Sequence, residues 1–525
     1  MKSLLLLLAL VTGALASSPP PGIVIHHSRA SSGQYIGSPS LCILPNGDYL
    51  ASHDIFGPAS KENELATGRI YRSSDRGLTW RHLVDLKGYF WQGLFVHRGA
   101  AYAMGTNHHH GQLVIRRSID HGKSWTDPTA ARSGLLTAGE WHTAPMPVIE
   151  AHGRLWRAVE DAMGGTKWGE RYRARMASIP ADADLLDAGN WTFSNPLPRD
   201  PQWLDGKFGA WLEGNAVADP QGNIVDILRV DLPSGPEKVA IVRISADGKT
   251  ASFDPARDFT EFPGGAKKFT IRKDPAGLGY WTLASIIPER EAATHAIPGG
   301  IRNTLALLHS TNLTNWETRC VLLYHPDVAK HGFQYVDWQF DGDDLIATCR
   351  TAWDDEEGDA HNNHDANFLT FHRWRKFRAL TRQDDVPMPE FIPVTHRAAG
   401  LTITGTGFEI GVIRNGETAF SNRGYRWENL PAALEGKQFT RLAGGAKAIV
   451  EVTAESAMSV SIATAPSQPG VDLTGWKRGE PDFNYTDREK TVMRVFTRSL
   501  AKGETLRLPQ GNWTGSILIF DSAPQ

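Results

Sequence analysis

The chain has 525 residues, which is enough to bury a large core and is typical of a protein with two domains. Its formal net charge is −3 and 22% of its residues are charged, so no global electrostatic field favours nucleic acid or an anionic membrane as a partner. The sequence contains 51 Gly, 31 Pro and 17 Trp and no long helical period, a balance that indicates an all-β protein with many turns.

Residues 1 to 16 have the pattern of a secretory signal peptide. Lys2 is the basic region, residues 4 to 11 are the apolar core, and Ala14-Leu15-Ala16 is a small-x-small cleavage site. Neither this apolar run nor any later one is long enough to cross a bilayer. We therefore expect a secreted protein, extracellular or periplasmic, with no membrane span.

The three cysteines, Cys42, Cys320 and Cys349, are odd in number and lack metal-ligand spacing. A disulfide between Cys320 and Cys349 is compatible with the sequence, but buried free thiols are favoured. We expect that no cofactor is required. A bound divalent metal such as calcium is compatible with the sequence.

A strand–turn–strand unit recurs along the first part of the chain. The pattern Ser73-x-Asp75-x-Gly77-x-Thr79-Trp80 returns 45 residues later as Ser118-x-Asp120-x-Gly122-x-Ser124-Trp125. In each copy the Asp can accept hydrogen bonds from its own turn, the Gly supplies a positive φ angle, and the Trp fills the corner. Less regular copies follow at Ser245-Ala246-Asp247-Gly248 and at Ser310-Thr311-Asn312 with Trp316. A unit returning in this way predicts a β-propeller, with each copy marking one blade.

Six first strands are predicted, near Ser38, Gln92, Thr143, Trp211, Trp281 and Tyr335. We therefore expect a propeller of six blades over residues 22 to 395. A seventh blade, closed by the N-terminal strand and residues 376 to 395, is also compatible with the pattern. From residue 397 to 525 the repeated turns stop, and alternating apolar runs predict a separate β-sandwich. A packing role for this second domain is favoured over carbohydrate binding.

The first strands of a propeller converge on a central axis, so polar residues at matching positions of the blades face one pocket. The second strands supply His53-Asp54, Asn107-His108, Arg157, Arg229 and Arg350. Guanidinium groups hold a carboxylate through paired hydrogen bonds, so the arginines predict an anion site. The alternative is that each arginine pairs with a nearby acid, as Arg157 would with Glu160 or Asp161.

The repeated turns are those of the Asp-box, or BNR repeat, and a second segment strengthens the comparison. Glu213-Gly214-Asn215-Ala216-Val217, followed after a Gly turn by Ile227-Leu228-Arg229, resembles the sialidase-like propeller family. The resemblance implies that Arg229 holds the substrate carboxylate and that Glu213 polarises a tyrosine nucleophile. Tyr335, ahead of Asp341-Gly342, matches that tyrosine.

The resemblance also implies a proton donor above the pocket floor, for which His53 or Asp54 is expected. One departure from the family lies in the first blade, where Tyr35-Ile36-Gly37-Ser38-Pro39 stands in place of an Arg-Ile-Pro motif. Sialic acid as the substrate therefore requires Arg157 or Arg350 to replace the missing arginine.

Histidines cluster at or near the predicted strand ends. His53, His108 and His142 are the three expected in the pocket, where a neutral imidazole can take a proton from a sugar carbon. The other expected substrate-binding residues are Trp91, Trp338, His361 and His364.

Three functions are compatible with these residues. The first is a secreted carbohydrate-active enzyme that cleaves a terminal acidic sugar, sialic acid or a uronate, from a glycan by exo-glycosidase chemistry. The second is a polysaccharide lyase acting at a glucuronate, for example in a rhamnose–glucuronate linkage, with His or Tyr as base and Arg neutralising the carboxylate. The third is a non-catalytic glycan-binding propeller, in which Glu213, Tyr335 and the arginines would not converge.

Overall fold

The computed structural model describes residues 19–292, 297–389, 391, 393–398, 400–421, 423–445, 447–479 and 481–522. The predicted signal peptide lies outside these residues. The chain divides into two compact units, Met1–Met388 and Pro389–Gln525, so the boundary falls a few residues before the predicted one. No helix in the described ranges is long and apolar enough to cross a membrane.

The described strands of the first unit form six antiparallel sheets, numbered here 1 to 6 in chain order. Sheet 1 contains Tyr35–Ile36 with Ser40–Ile43, then Tyr49–Phe56, Thr67–Ser73 and Arg81–Lys87. Sheet 2 contains Phe90–His97, Ala100–Thr106, Leu113–Ser118 and Leu135–Thr137. Sheet 3 contains Trp141–His142 with Ile149–Ala151, then Arg154–Asp161, Arg173–Pro180 and Thr192–Phe193. Sheet 4 contains Ala210–Ala218, Ile224–Asp231, Lys238–Ile244, Ala251–Ser252 and Phe259–Glu261. Sheet 5 contains Thr270–Lys273, Tyr280–Ala284, Thr304–Ser310 and Glu317–Tyr324. Sheet 6 contains Gly332–Asp341, Asp344–Ala352, Phe368–Trp374 and Ile23–His27.

The sheets are blades of a propeller. Apart from the N-terminal strand of sheet 6, the strands within each sheet follow chain order. Neighbouring sheets contact one another through their first strands or, between sheets 2 and 3, through the second strand of sheet 2. The N-terminal strand Ile23–His27 pairs antiparallel with Phe368–Trp374 and so completes sheet 6 instead of a seventh sheet. The all-β propeller prediction is confirmed, with six sheets in the part of the chain that the structure describes. The short helical segments are Ala30–Ser32, Ala188–Asn190, Glu289–Ala292, Pro298–Gly300, Phe377–Ala379 and Arg382–Asp384.

Most of the predicted first strands lie close to the observed ones. Gln92, Trp211 and Tyr335 lie in first strands, and Ser38 and Thr143 lie at breaks in the first strands of sheets 1 and 3. The prediction at Trp281 was wrong, because that residue lies in the second strand of sheet 5. The true first strand, Thr270–Lys273, ends in two basic residues and gave a weaker apolar pattern.

The repeated turns join the third strand of a sheet to its fourth. In the first copy Asp75 accepts hydrogen bonds from Ser73 Oγ (2.7 Å) and from the Thr79 backbone N–H (2.9 Å), and Trp80 Nε1 donates to the Gly77 carbonyl (3.2 Å). The second copy repeats these bonds around Asp120. These turns are therefore held by their own side chains.

The first strands of sheets 2, 4 and 6 each carry a β-bulge near their start. In each bulge one residue that is not glycine has a positive φ angle: 51° at Trp91, 57° at Glu213 and 53° at Tyr335. A bulge turns one side chain out of the alternation of its strand. These three side chains are thereby directed away from the faces between sheets.

The second unit is a β-sandwich. One sheet contains Val394–Ala398, Leu401–Thr406, Ile449–Ala454 and Thr505–Arg507, and the other contains Phe408–Val412, Thr418–Phe420, Arg423–Glu428, Gln438–Leu442, Met458–Thr464, Lys477–Arg478, Phe483–Tyr485, Val492–Leu500 and Ser516–Phe520. A single hydrophobic core with Trp427 and Phe439 at its centre includes residues of both sheets.

Candidate active site

A cavity of about 420 Å³ lies where all six sheets of the first unit meet. Its polar lining includes Asp54, Glu62, His109, His142, Glu213, Arg229, Arg302, Tyr335, Arg350 and His364, and its aromatic lining is Phe56, Phe90, Trp91, Trp168 and Tyr172. Because every sheet contributes, the cavity lies on the propeller axis. Its size is in the range of pockets that bind small ligands.

The centre of the cavity is the pair Glu213 and Tyr335, both presented by bulges. Both side chains line the cavity, and Tyr335 lies near enough to the Glu213 carboxylate to influence its pKa. Burial raises the pKa of Glu213, but Arg229, His142 and Tyr335 outweigh it, so the net pKa is lowered. Burial and the Glu213 charge raise the pKa of Tyr335. The pair is therefore a neutral phenol beside an ionised carboxylate.

Three arginines surround this pair. Arg229 Nη1 donates to Glu213 Oε2 (3.0 Å), and Arg302 Nη1 donates to Gln334 Oε1 (2.7 Å). The Arg350 guanidinium lies 4.8 Å from the centroid of the Tyr335 ring. Burial, together with the charges of Arg229 and Arg350, lowers the pKa of Arg302 to about 10. Arg229 is paired with the Glu213 carboxylate, whereas Arg302 and Arg350 donate to an amide oxygen and to the His364 carbonyl, so their positive charge favours binding of an anion.

Asp54, in the second strand of sheet 1, forms one wall of the cavity. Its Oδ1 accepts the Ser38 backbone N–H and its Oδ2 accepts the Trp91 backbone N–H, both at 2.5 Å. Burial raises the pKa of Asp54 to about 6, against the effect of these two bonds. A Cβ at Gly37 would lie 1.6 Å from Asp54 Oδ1, so the segment that departs from the family motif leaves room for this carboxylate.

Arg302 stands in the cavity where Arg157 was predicted. Arg229 and Arg350 lie two residues before the ends of their second strands, whereas Arg157 lies four residues before the end of its own. Arg157 is therefore deeper by roughly 6–7 Å. Its guanidinium donates to the carbonyls of Ala158 and Ala144. It does not line the cavity.

Four other predicted site residues also lie outside the cavity lining. His53 is buried behind Asp54, its ring stacked against His26. His108 Nδ1 donates to the His109 carbonyl, and it is His109 that lines the cavity. Trp338 is a core residue whose Nε1 donates to the Thr270 carbonyl (2.8 Å). His361 is exposed and stacks on Tyr35. Side chains alternate between the two faces of a strand, and the chain turns after residue 107. These four side chains therefore lie outside the cavity that some of their sequence neighbours line.

Eight predicted residues do converge on the cavity: Asp54, Trp91, His142, Glu213, Arg229, Tyr335, Arg350 and His364. Arg302 was not predicted, because the first strand of sheet 5 was expected at Tyr280–Ala284, which is its second strand. The signal for Arg302 is an Ile-Arg-Asn segment directly before the third strand, Thr304–Ser310.

No group of three or more His, Cys, Asp or Glu side chains in the described residues is arranged to hold a metal ion. All three cysteines are free and buried, as the favoured alternative predicted.

No protein-family model matches the chain, and no curated protein matches it. Solved structures similar to it include a Hadza microbial sialidase (15% identity, 69% of each chain, TM-score 0.46) and a Dyadobacter fermentans protein of unknown function (15% identity, 68% of this chain and 99% of that chain, TM-score 0.45). A GH93 α-L-arabinofuranosidase of Fusarium graminearum is 12% identical over 69% of this chain and 99% of that chain, with a TM-score of 0.44. At these scores the chemistry of the site has to be inferred from its own residues.

Proposed function

We propose that this protein is a carbohydrate-active enzyme, an exo-glycosidase that removes a terminal acidic sugar from an oligosaccharide or polysaccharide. The observation that carries the proposal is the placement of Tyr335 and the buried Glu213 carboxylate in one cavity with three arginines. A tyrosine with a raised pKa needs a base to become a nucleophile. Glu213 takes the phenolic proton as the Tyr335 oxygen attacks the anomeric carbon.

The arginines select an acidic sugar. Arg229 and Arg350 both contact the nucleophile pair, so a carboxylate bound between them lies beside the carbon that Tyr335 attacks. A sugar such as sialic acid, whose carboxylate is on the anomeric carbon, meets this requirement better than a uronate does. A neutral phenol also suits that carbon, because an anionic nucleophile would be repelled by the adjacent carboxylate.

A second candidate function is β-elimination at a uronate. The observation that favours it is His142, whose imidazole lines the same cavity as the arginines. Its Nε2 would take the proton beside the carboxylate while the arginines stabilise the resulting charge. This reaction leaves an unsaturated uronate that absorbs in the ultraviolet.

The test compares aryl and oligosaccharide glycosides of sialic acid and of glucuronic acid, with free sugar and ultraviolet absorbance recorded together. We expect release of free acidic sugar without an absorbing product. A 3-fluoro sialosyl fluoride should add one sugar mass to the peptide containing Tyr335. Turnover of neutral glycosides alone, or an adduct on another residue, would contradict the proposal.

The proposed reaction needs no cofactor, because the base, the nucleophile and the carboxylate site are all side chains. The proposed place of action is outside the cytoplasm, on the basis of the signal-like residues 1 to 16.

A further inference from the structure

A histidine–carboxylate pair from sheet 3 forms one wall of the cavity. His142 Nδ1 lies 2.9 Å from Glu160 Oε2, and the two residues are 5% and 0% exposed. With Nδ1 donating to the carboxylate, Nε2 is the nitrogen left to exchange a proton with a ligand. Within the described part of the chain, no hydrogen bond occupies Nε2.

The pair is fixed to the bulge that presents Glu213. Glu160 Oε1 accepts the Gly214 backbone N–H at 3.1 Å, so one carboxylate holds both the imidazole and the residue after Glu213. The His142 ring packs against Trp91 at 4.5 Å and Tyr172 at 4.3 Å between centroids. The titratable groups that face it are Glu160, Glu213, His110 and Tyr172.

Asp54 is less suited to proton transfer than its pKa suggests. Both of its oxygens accept backbone N–H groups, and the residue is only 1% exposed. Its bond to Trp91 fixes the bulge of sheet 2, as Glu160 fixes the bulge of sheet 4. This geometry makes Asp54 a positioning residue.

We infer that His142, oriented by Glu160, is the acid–base group of the proposed glycosidase, so the inference rests on the proposed function. The Tyr335 oxygen bonds to the anomeric carbon as its proton moves to Glu213. The glycosidic C–O bond breaks, and the departing oxygen takes the proton of His142 Nε2. In the second step His142 takes a proton from water, the water oxygen bonds to the anomeric carbon, the bond to Tyr335 breaks, and Glu213 returns the proton to Tyr335.

The test exploits the fact that a general acid matters most for a poor leaving group. His142→Asn, Glu160→Gln and Asp54→Asn are compared on a 4-nitrophenyl sialoside and on the same sugar linked to lactose. For His142→Asn we expect kcat/KM to fall by about 10²–10⁴-fold on the lactoside and by less than about tenfold on the aryl glycoside. Because water attack is also slowed, kcat on the aryl glycoside should fall, with a burst of one nitrophenol per enzyme.

Glu160→Gln should show the same divergence between substrates to a smaller extent. The matched control is His110→Asn, a neighbouring histidine outside the cavity lining, which should show neither the divergence nor the burst. Thermal unfolding of each variant separates loss of function from loss of fold.

Equal losses of kcat/KM on both substrates without a burst would overturn the inference, because that is the result of a purely structural histidine. A leaving-group effect in Asp54→Asn but not in His142→Asn would also overturn it, in favour of Asp54. If the wild-type protein turns over no acidic glycoside at all, the proposed function itself fails.

Discussion

Positive φ angles in the propeller occur in two settings, the outer turns and the bulges at the cavity. The outer turns include Arg76 (61°) and Gly77 (90°) in one copy and His121 (63°) and Gly122 (85°) in the other, whereas the cavity bulges have Trp91, Glu213 and Tyr335. Glycine adopts this conformation at no steric cost, but any other residue loses about 1–2 kcal/mol. At the outer turns this conformation belongs to the turn itself, whereas at the cavity it interrupts three strands and presents three large side chains to one cavity. Strain concentrated in this way is the pattern expected of a functional site.

The comparison predicts that the cavity and the outer turns respond to mutation in opposite ways. A change at a bulge should reduce turnover and leave stability almost unchanged. A change at an outer turn should reduce stability and leave turnover unchanged.

The largest effect should come from Tyr335→Phe. Removing the hydroxyl removes the proposed nucleophile, so we expect kcat to fall by about 10³-fold or more, with the melting temperature within a few degrees of wild type. Steady-state kinetics and thermal unfolding check this. A variant that retains a tenth of wild-type kcat would show that the strained bulge does not serve catalysis, which would contradict the comparison.

Arg302→Ala should have the next largest effect. Loss of a charge-assisted hydrogen bond is worth about 1.5–3 kcal/mol, so we expect kcat/KM for acidic substrates to fall by about 10–10²-fold. The melting temperature should fall by less than in Arg157→Ala, because relief of the repulsion from Arg229 and Arg350 offsets the lost hydrogen bond to Gln334. Arg157→Ala is the counterpart: it leaves two buried carbonyls without donors and should cost about 1–3 kcal/mol of stability. A loss of stability in Arg302→Ala as large as in Arg157→Ala would contradict this.

The free energy that a side chain costs at a positive φ angle can be measured by replacing glycines with alanine. A Cβ at Gly77 would lie 2.2 Å from the Phe371 ring, so Gly77→Ala should cost about 2–4 kcal/mol from strain and overpacking together. Gly153 has a φ of 70° and nothing within 4 Å of its Cβ position, so Gly153→Ala should cost only the strain, about 1 kcal/mol. Chemical denaturation measures both values. Equal losses would mean that the clash at Gly77 is relieved by movement of Phe371.

The smallest effect concerns pH at an outer turn. Hydrogen bonds from Thr79 and Ser73 lower the pKa of Asp75 to about 2 in the folded protein, against about 3.9 when unfolded. The ionised carboxylate therefore stabilises the fold above about pH 4, and this contribution is lost as the pH falls toward 2. The difference in stability between wild type and Asp75→Ala should accordingly shrink over this range, with kcat unaffected at neutral pH. A difference that is constant with pH would contradict the assignment.

The outer turns were predictable because their conformation is encoded locally. Ser73, Asp75 and Gly77 supply the bonds and the φ angle of one turn within a few residues, and the same pattern elsewhere identified the fold. The β-bulges were not predictable, since Trp91, Glu213 and Tyr335 have no local preference for positive φ. Glu213 and Tyr335 were identified by resemblance to a family, and their conformation is imposed by contacts with other sheets.

The arginines show the limit of the same reasoning. Arg229 and Arg350 were found because second strands carry them at the same distance from the strand end. Arg157 and Arg302 could not be assigned correctly, because depth along a strand and the order of strands in sheet 5 are set by packing between sheets. Neither quantity is visible in a single strand's sequence.

The pairing of the N-terminal strand with the last sheet has a consequence for synthesis. Ile23 pairs with Phe371, so one of the first strands to leave the ribosome has no partner until nearly the whole propeller has been made. At about 5–20 residues per second the wait is on the order of tens of seconds. The sheet completed by this late pairing is the one that carries Tyr335 and Arg350. A chain released early would therefore lack the proposed nucleophile as well as the closed ring, so the proposed activity would require the whole propeller.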